Sequence, residues 1–320
     1  MYRLYVQTNQ LCEEFVACNQ SHIRSATADA QRQVFRASWT LGLSAALISG
    51  LGIALLWLSF RRFLAEQRNR EHESRLLAAQ AIQEGLLPHG LPTLPPFEVG
   101  CIWWPAEFAS GDYVDYLTLA DGSVGVAIGD VSGHGLDAAL LAVATRAYWR
   151  ALADAHQDVG KMLAVLNRML VRDIRGEGRF VTLLLARLDF RDLSLTYANA
   201  GHVPGYVVTA SGEVKSRLEN RSLPLGILAD ADFPPGVQVS LAPGDIVILL
   251  TDGVLEAFSA RGDCFGEERL LAAVRANRRR PAQEIVDGIY RAVREHARNE
   301  KLVDDLTAKV IRVVPPEARS

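Results

Sequence analysis

An excess of positive charge is missing from this 320-residue chain. It carries 34 Lys and Arg residues against 37 Asp and Glu residues, which gives a formal net charge of −3 at pH 7. Proteins that bind nucleic acid without sequence preference need a basic surface to meet the phosphate backbone. The composition therefore excludes a general nucleic-acid-binding protein.

Cysteine clusters and nucleotide-binding loops are missing as well. The chain has four cysteines, and neither Cys101 nor Cys264 has a second cysteine or a histidine at the spacing of a zinc site. The sequence also contains no Gly-x-x-x-x-Gly-Lys-Ser/Thr loop. These absences argue against a structural zinc site and against a P-loop nucleotide-processing enzyme.

Apolar residues, in contrast, are abundant and unevenly distributed. They make up 49% of the chain, and the mean hydropathy is +0.08. The 23 residues at 38–60 contain no charged side chain, and Trp39 and Trp57 lie near the two ends. A helix of this length crosses a hydrocarbon core of roughly 30 Å. We interpret 38–60 as one transmembrane helix, in preference to a buried soluble helix or a cleaved signal peptide.

The arginines around this span favour one orientation. Within 15 residues, the C-terminal flank holds five arginines and the N-terminal flank holds three, which favours a cytoplasmic C-terminal side. We therefore predict an extracytoplasmic segment at 1–37 and a single-pass anchor in the inner (cytoplasmic) membrane. Cys12 and Cys18 would lie outside the cytoplasm, where a disulfide within or between chains can form.

Small residues recur every four positions inside the span, at Gly42, Ala46, Gly50 and Ala54. Such a stripe lets two helices approach closely. The pattern is equally consistent with a homodimer face and with the ordinary composition of membrane helices.

The segment after the span, 61–87, predicts one continuous helix. It is rich in Arg, Glu, Gln and Ala, and it contains no glycine until Gly85 and no proline. Prolines at 88, 92, 95 and 96 then end the helix. We assign 61–96 to a linker helix with a proline-rich boundary, which acts either as a mechanical coupler or as a spacer.

Beyond residue 97, short β-type runs are separated by turns and helical stretches. Apolar runs at 113–120 and 123–130 flank Asp121-Gly122, which predicts a hairpin. The other predicted strands are 180–190, 194–199, 205–209, 246–251 and 306–314, and the predicted helices are 136–156, 160–172, 265–277 and 281–298. Grouped strands and grouped helices indicate an α+β fold with antiparallel sheets.

Several aspartates in this region lie at the ends of apolar strands. They are Asp112, Asp130, Asp252 and the pair Asp304 and Asp305. Carboxylates next to glycines suit hard cations such as Mg²⁺ or Mn²⁺. Asp-Gly pairs are also common as simple turns, so each aspartate alone is weak evidence, and the metal site is predicted from their recurrence.

Six ordered motifs carry a specific resemblance. They are residues 110–115 (SGDYVD), 129–135 (GDVSGHG), 199–202 (NAGH), 224–226 (PLG), 250–256 (LTDGVLE) and 304–307 (DDLT). In order and approximate spacing they resemble the bacterial SpoIIE/RsbU-type serine phosphatases of the metal-dependent protein phosphatase (PPM) superfamily. The stretch 81–88 (AIQEGLLP) is similar to the entry helix of that family.

The resemblance implies a four-layer αββα sandwich over 97–314, with a tail at 315–320. It also implies a site for two divalent metal ions, Mn²⁺ or Mg²⁺. The implied ligands are Asp130, the backbone carbonyl of Val131, Asp252 and Asp304, together with Asp112, which is implied either as a ligand or as an acceptor for metal-bound water. Asp130 would bridge both ions, and Asp130 and Asp112 are the implied catalytic residues. Supporting roles fall to Asp305, Gly111, Gly133 and Gly253.

The implied activity is hydrolysis of phosphoserine or phosphothreonine by in-line attack of a water activated by the two metals. The implied substrate is a phosphorylated STAS-domain protein of the anti-anti-sigma type. The alternative is a non-catalytic membrane sensor or scaffold that uses the same fold to bind a partner. Ser110 departs from the family pattern, which often has glycine there. For His134 we expect a loop role, and for His202 a structural and a catalytic role both remain open.

Overall fold

The computed structural model describes residues 2–86, 96–106, 109–133, 135–153, 155, 158–174, 178–298 and 304–314. It divides into two compact units, residues 1–72 and residues 73–320. Most of the proline-rich boundary (87–95), His134 and the tail at 315–320 lie outside the described residues.

The predicted N-terminal segment, span and linker are parts of one α-helix, α1 (Tyr2–Leu86). No proline occurs before Pro88, so no residue in this stretch lacks the N–H that a helix needs. An 18-residue window of α1 reaches a mean hydropathy of 2.1, and none of it is buried. By length and composition, α1 can cross a membrane, and an uncovered apolar surface of this kind is consistent with a lipid environment.

The geometry of α1 also limits the pairing of Cys12 and Cys18. Both cysteines are exposed on this one helix. Six residues of α-helix separate their Cα atoms by about 9 Å, which exceeds the roughly 7 Å that a disulfide can span. A disulfide between them within one chain is therefore incompatible with α1, and of the two predicted pairings only the one between chains fits the helix.

Within the described residues, ten strands form two five-stranded sheets, and all neighbouring strands are antiparallel. The first sheet has the order β1 (Phe97–Trp104), β10 (Leu306–Val313), β9 (Ile246–Leu250), β6 (Gly205–Val208) and β7 (Val214–Leu218). The second sheet has the order β2 (Tyr113–Thr118), β3 (Val124–Val131), β4 (Val181–Asp189), β5 (Ser194–Ala200) and β8 (Val237–Ser240).

Helices cover the outer face of each sheet. The first sheet packs against α5 (Gly266–Asn277) and α6 (Ala282–His296), and a single turn, α4 (Asp252–Leu255), follows β9. The second sheet packs against α2 (Leu136–Leu152) and α3 (Val159–Ile174). A third apolar core lies between the two sheets.

Strand β9 shows how one apolar run serves two cores. Ile246, Ile248 and Leu250 contribute to the core with α5 and α6, whereas Val247 and Leu249 contribute to the core between the sheets. Because successive side chains point to opposite faces and both faces are buried, β9 is apolar at every position. The layers are helices, sheet, sheet and helices, so the predicted αββα sandwich is confirmed.

The predicted hairpin is present between β2 and β3. Thr118 pairs with Val124, the amide of Gly122 donates to the carbonyl of Leu119 at 2.8 Å, and Gly122 has a φ of +86°. Three strands, β1, β7 and β8, are absent from the sequence-based prediction. All three lie at sheet edges, and β7 and β8 are largely exposed or half-buried, so their apolar pattern is weak.

Candidate active site

Four strand ends meet at one edge of the sandwich. In the second sheet, Tyr113 at the start of β2 pairs with Gly129 near the end of β3. In the first sheet, Ala308 near the start of β10 pairs with Leu250 at the end of β9. The aspartates that precede β2 and β10 therefore lie beside those that end β3 and follow β9.

A hydrogen bond joins the two sheets at this edge. The hydroxyl of Thr251, directly after β9, donates to Oδ2 of Asp112, directly before β2, at 2.8 Å. Asp112 is only 3% exposed. Burial raises the pKa of Asp112 well above its ordinary value, and the nearby carboxylates of Asp130 and Asp305 raise it further. Thr251 is a site residue that the sequence analysis did not identify.

Asp130 lies in the negative field of three other aspartates. Burial, followed by the charges of Asp252, Asp304 and Asp305, raises its pKa to about 8. The pKa of Asp252 is raised by burial and then by Asp304 and Glu256. Carboxylates that repel one another in a partly buried site are stable as anions only when a cation offsets their charge.

Glycines let the backbone approach these acids. A Cβ on Gly111 would lie 3.0 Å from the carbonyl oxygen of Val131 and 3.1 Å from Oδ1 of Asp130. A Cβ on Gly253 would lie 1.9 Å from the carbonyl oxygen of Asp305, which no real side chain tolerates. Gly133, two residues after Val131, has a φ of +94°, which glycine adopts without strain.

Asp305 orients the loop before β2. Its Oδ2 accepts hydrogen bonds from the hydroxyl of Ser110 at 2.7 Å and from the amide of Gly111 at 2.9 Å, and its Oδ1 accepts from the amide of Ala106 at 2.7 Å. The Ser110 hydroxyl also accepts from the amide of Asp112 at 3.0 Å. The departure from glycine at Ser110 therefore adds two hydrogen bonds that hold the loop.

The end of α1 contacts the same loop. Gln83 is 7% exposed, and its side-chain amide donates to the carbonyl of Ser110 at 2.6 Å. The amide of Ser110 donates in return to the side-chain oxygen of Gln83 at 3.0 Å. These two bonds tie the last turns of α1 to the backbone that leads into Gly111 and Asp112. Gln83 lies in the entry-helix stretch, and its contact with Ser110 is visible only in three dimensions.

The donor set fits a hard cation. Every candidate side-chain donor is a carboxylate oxygen, and Gly111 leaves room beside Asp130. Among the described residues, no three His, Cys, Asp or Glu side chains are placed so that they could hold a single ion. The aspartates share one edge and one electrostatic field, and their assignment as ligands remains a proposal.

Asp115, from the first motif, points away from this edge. Its carboxylate is fully buried and accepts two hydrogen bonds from Arg150 of α2, at 2.6 and 2.7 Å. Arg146 lies 3.2 Å from the same carboxylate. Asp115 therefore anchors α2 to β2 and is not a candidate ligand.

Comparison with known proteins defines the class first. The PP2C domain of SiaA from Pseudomonas aeruginosa superposes with a TM-score of 0.66 at 24% identity, covering 76% of this chain and 98% of that domain. The likeness shows that residues of this chain adopt the PP2C phosphatase fold.

The family follows from the sequence. The model of stage II sporulation protein E (SpoIIE) matches residues 120–314. Phosphoserine phosphatase RsbU of Bacillus subtilis is 30% identical over 243 residues, covering 76% of this chain and 71% of RsbU. The chain belongs to the SpoIIE family, and family and fold together indicate a PP2C-type serine phosphatase of the RsbU/SpoIIE kind.

A second relative extends well beyond the residues that align with this chain. Protein IcfG of a Synechocystis strain is 26% identical over 268 residues, which cover 76% of this chain and 42% of IcfG. The chain therefore corresponds to less than half of that relative.

Replacement of Asp130 by Asn is expected to change the pH dependence of stability in the metal-free chain. The pKa of Asp130 in the folded chain, about 8, lies above that of an unfolded aspartate, so its contribution is fully present below about pH 4 and is lost as pH rises through 8. As the pH rises from 5 to 8, the free energy of unfolding of Asp130→Asn should therefore increase, relative to that of the native chain, by up to about 1.4 kcal/mol per pH unit.

Urea unfolding of the chain in detergent with a chelator, at several pH values, measures this difference. Asp232→Asn, at an exposed position, is the control and should leave the pH profile unchanged. A profile for Asp130→Asn that parallels the native profile would show that Asp130 does not lie in a strong negative field.

Proposed function

We propose that this chain is a membrane-anchored, metal-dependent phosphatase that removes phosphate from phosphoserine or phosphothreonine on a regulatory protein. Membership of the SpoIIE family supports the reaction class. The observation that carries the proposal is the meeting of Asp112, Asp130, Asp252 and Asp304 at one edge of the sandwich, with the pKa of Asp130 raised to about 8.

The residues that would hold two divalent ions, Mn²⁺ or Mg²⁺, are Asp112, Asp130, the carbonyl of Val131, Asp252 and Asp304. When bound, two such ions lower the pKa of water and offset the charge of a phosphoryl group, which permits in-line attack on phosphorus. A site of oxygen donors without thiols or imidazoles suits these metals.

The chain contributes the placement of these donors. The Thr251 hydroxyl holds Asp112 against the first sheet, and Asp305 with Ser110 holds the loop that carries Gly111 and Asp112. The two sheets thereby present acids from opposite sides to one place. Rigid strands on both sides keep this arrangement preorganised, which is what catalysis by charge stabilisation requires.

The proposed substrate is a phosphorylated STAS-domain protein of the anti-anti-sigma type. Kinship with RsbU supports a regulatory phosphoprotein as the substrate class. The long apolar helix supports attachment to the inner membrane, and the arginine bias supports a cytoplasmic location for 97–314.

Asp130→Ala tests catalysis against the non-catalytic sensor or scaffold. With Mn²⁺ present, the native chain in detergent should release phosphate from a phosphorylated STAS protein and from p-nitrophenyl phosphate. Asp130→Ala should lower kcat/KM more than ~100-fold, because it removes a carboxylate that would hold both ions. Asp232→Asn is the matched control and should retain native kcat/KM. Absence of phosphate release by the native chain, or full activity of Asp130→Ala, would favour the scaffold.

We further propose that α1 regulates the site through Gln83. Its two bonds to Ser110 connect the helix end to the loop that holds Asp112. A rotation of the helix would therefore move the backbone beside a proposed ligand, without any change in the ligands themselves.

Gln83→Leu removes both bonds and keeps a side chain of similar size. The Mn²⁺ concentration for half-maximal phosphatase activity should rise roughly tenfold, with kcat recovered at saturating Mn²⁺. Gln67→Leu, at an exposed position of α1, should leave the Mn²⁺ dependence unchanged. An unchanged Mn²⁺ requirement in Gln83→Leu would show that the end of α1 acts only as a spacer.

A further inference from the structure

His202 lies where the chain crosses from one sheet to the other. It follows β5 (Ser194–Ala200) of the second sheet and precedes β6 (Gly205–Val208) of the first sheet. The side chain is 4% exposed. A polar ring buried at a crossover between sheets needs a hydrogen-bond partner for each of its nitrogens.

Each ring nitrogen has a partner, and the two partners belong to different sheets. Nε2 lies 3.0 Å from the carbonyl oxygen of Leu250, the last residue of β9 in the first sheet. Nδ1 lies 2.9 Å from the hydroxyl of Thr182 in β4 of the second sheet. The ring is therefore a bridge between β9 and β4.

The partners also decide the proton positions on the ring. A carbonyl oxygen only accepts, so Nε2 of His202 carries a hydrogen and donates it to Leu250. Burial lowers the pKa of His202 to about 4, so the ring is neutral near pH 7. Nδ1 then accepts a hydrogen bond from the Thr182 hydroxyl. This single tautomer satisfies both partners without placing a charge beside the aspartates.

Both partners lie close to proposed metal ligands. Thr182 pairs with Asp130 across the β3–β4 ladder, and its hydroxyl oxygen is 3.3 Å from the Asp130 carbonyl oxygen. Leu250 precedes Asp252 by two residues. The bridge through His202 therefore joins β9, which Asp252 follows, to β4, which pairs with β3 at Asp130.

The backbone around His202 holds the ring in place. The side chain of Asn199 accepts from the His202 amide at 2.9 Å and donates to its carbonyl at 3.0 Å. Gly201 has a φ of +69°, and a Cβ there would lie 2.3 Å from Cγ of Pro224. Asn199, Gly201 and Pro224, which belong to two of the motifs, therefore fix the backbone that carries the ring.

We propose that His202 is a positioning residue that ties the two sheets together at the metal edge and sets the separation between Asp130 and Asp252. This inference rests on the proposed function, because it concerns the spacing of the proposed ligands. In this role His202 neither transfers a proton nor binds a metal ion.

The test measures Mn²⁺ affinity directly, by the electron paramagnetic resonance signal of free Mn²⁺, together with urea unfolding of the metal-free chain. His202→Phe keeps a ring and removes both hydrogen bonds, and the Mn²⁺ dissociation constant should rise at least tenfold. His202→Gln places an amide N–H near the position of Nε2, keeps the bond to Leu250, and should show an intermediate rise. An intermediate Mn²⁺ affinity in His202→Gln would show that the hydrogen bond to Leu250 contributes, because loss of ring packing alone would not restore affinity.

Leu188→Ala provides the matched control. Leu188 is fully buried in the core between the sheets, at the far end of β4, roughly 20 Å along the strand from Thr182. This variant should unfold at lower urea concentration yet keep its Mn²⁺ dissociation constant within twofold of the native value. If His202→Phe fails to fold, the Mn²⁺ dissociation constants of His202→Gln and Leu188→Ala can still be compared.

Two results would overturn the inference while leaving the metal site in place: native Mn²⁺ affinity in both His202 variants, or an equal loss of affinity in Leu188→Ala. A native chain that binds no Mn²⁺ would overturn the metal site itself and this inference with it.

Discussion

Repulsion among aspartate carboxylates is the constraint on which the active edge of this protein depends. Asp130 is partly buried and lies in the field of Asp252, Asp304 and Asp305, and its pKa rises to about 8 in consequence. A fold that gathers acids in this way loses stability unless protons or cations offset the charge. The rest of the sandwich can be understood as the scaffold that keeps these groups together despite their repulsion.

That scaffold relies on strands buried on both faces. β9 contributes to the helical core and to the core between the sheets in alternation, so its end, and with it Asp252, has little freedom to move. Hydrogen bonds then fasten the edge across the sheets, from Thr251 to Asp112 and through His202 from Leu250 to Thr182. Packing sets the layers, and a few polar contacts set the separation of the acids.

The sequence predicts the layers better than it predicts the contacts. Apolar runs such as 246–251 and the Asp121-Gly122 hairpin indicate strands directly, and the ordered motifs indicate the sandwich through family resemblance. The edge strands β7 and β8 escape prediction because they are covered less completely. The roles of Ser110, Gln83 and Thr251 also escape it, since each depends on partners 27 to 195 positions away. His202 is conspicuous in the sequence, yet its bridging role follows only from the sheets on either side.

The central claim is that the clustered aspartates form a site for divalent cations. Equilibrium dialysis of the 320-residue chain in detergent against Mn²⁺, with the native protein and Asp130→Asn side by side, tests it most directly. We expect two Mn²⁺ ions per native chain and a loss of both at the same free Mn²⁺ concentration in Asp130→Asn, because Asp130 is the carboxylate proposed to hold both ions. Binding of no Mn²⁺ by the native chain, or equal binding by the two proteins, would contradict it.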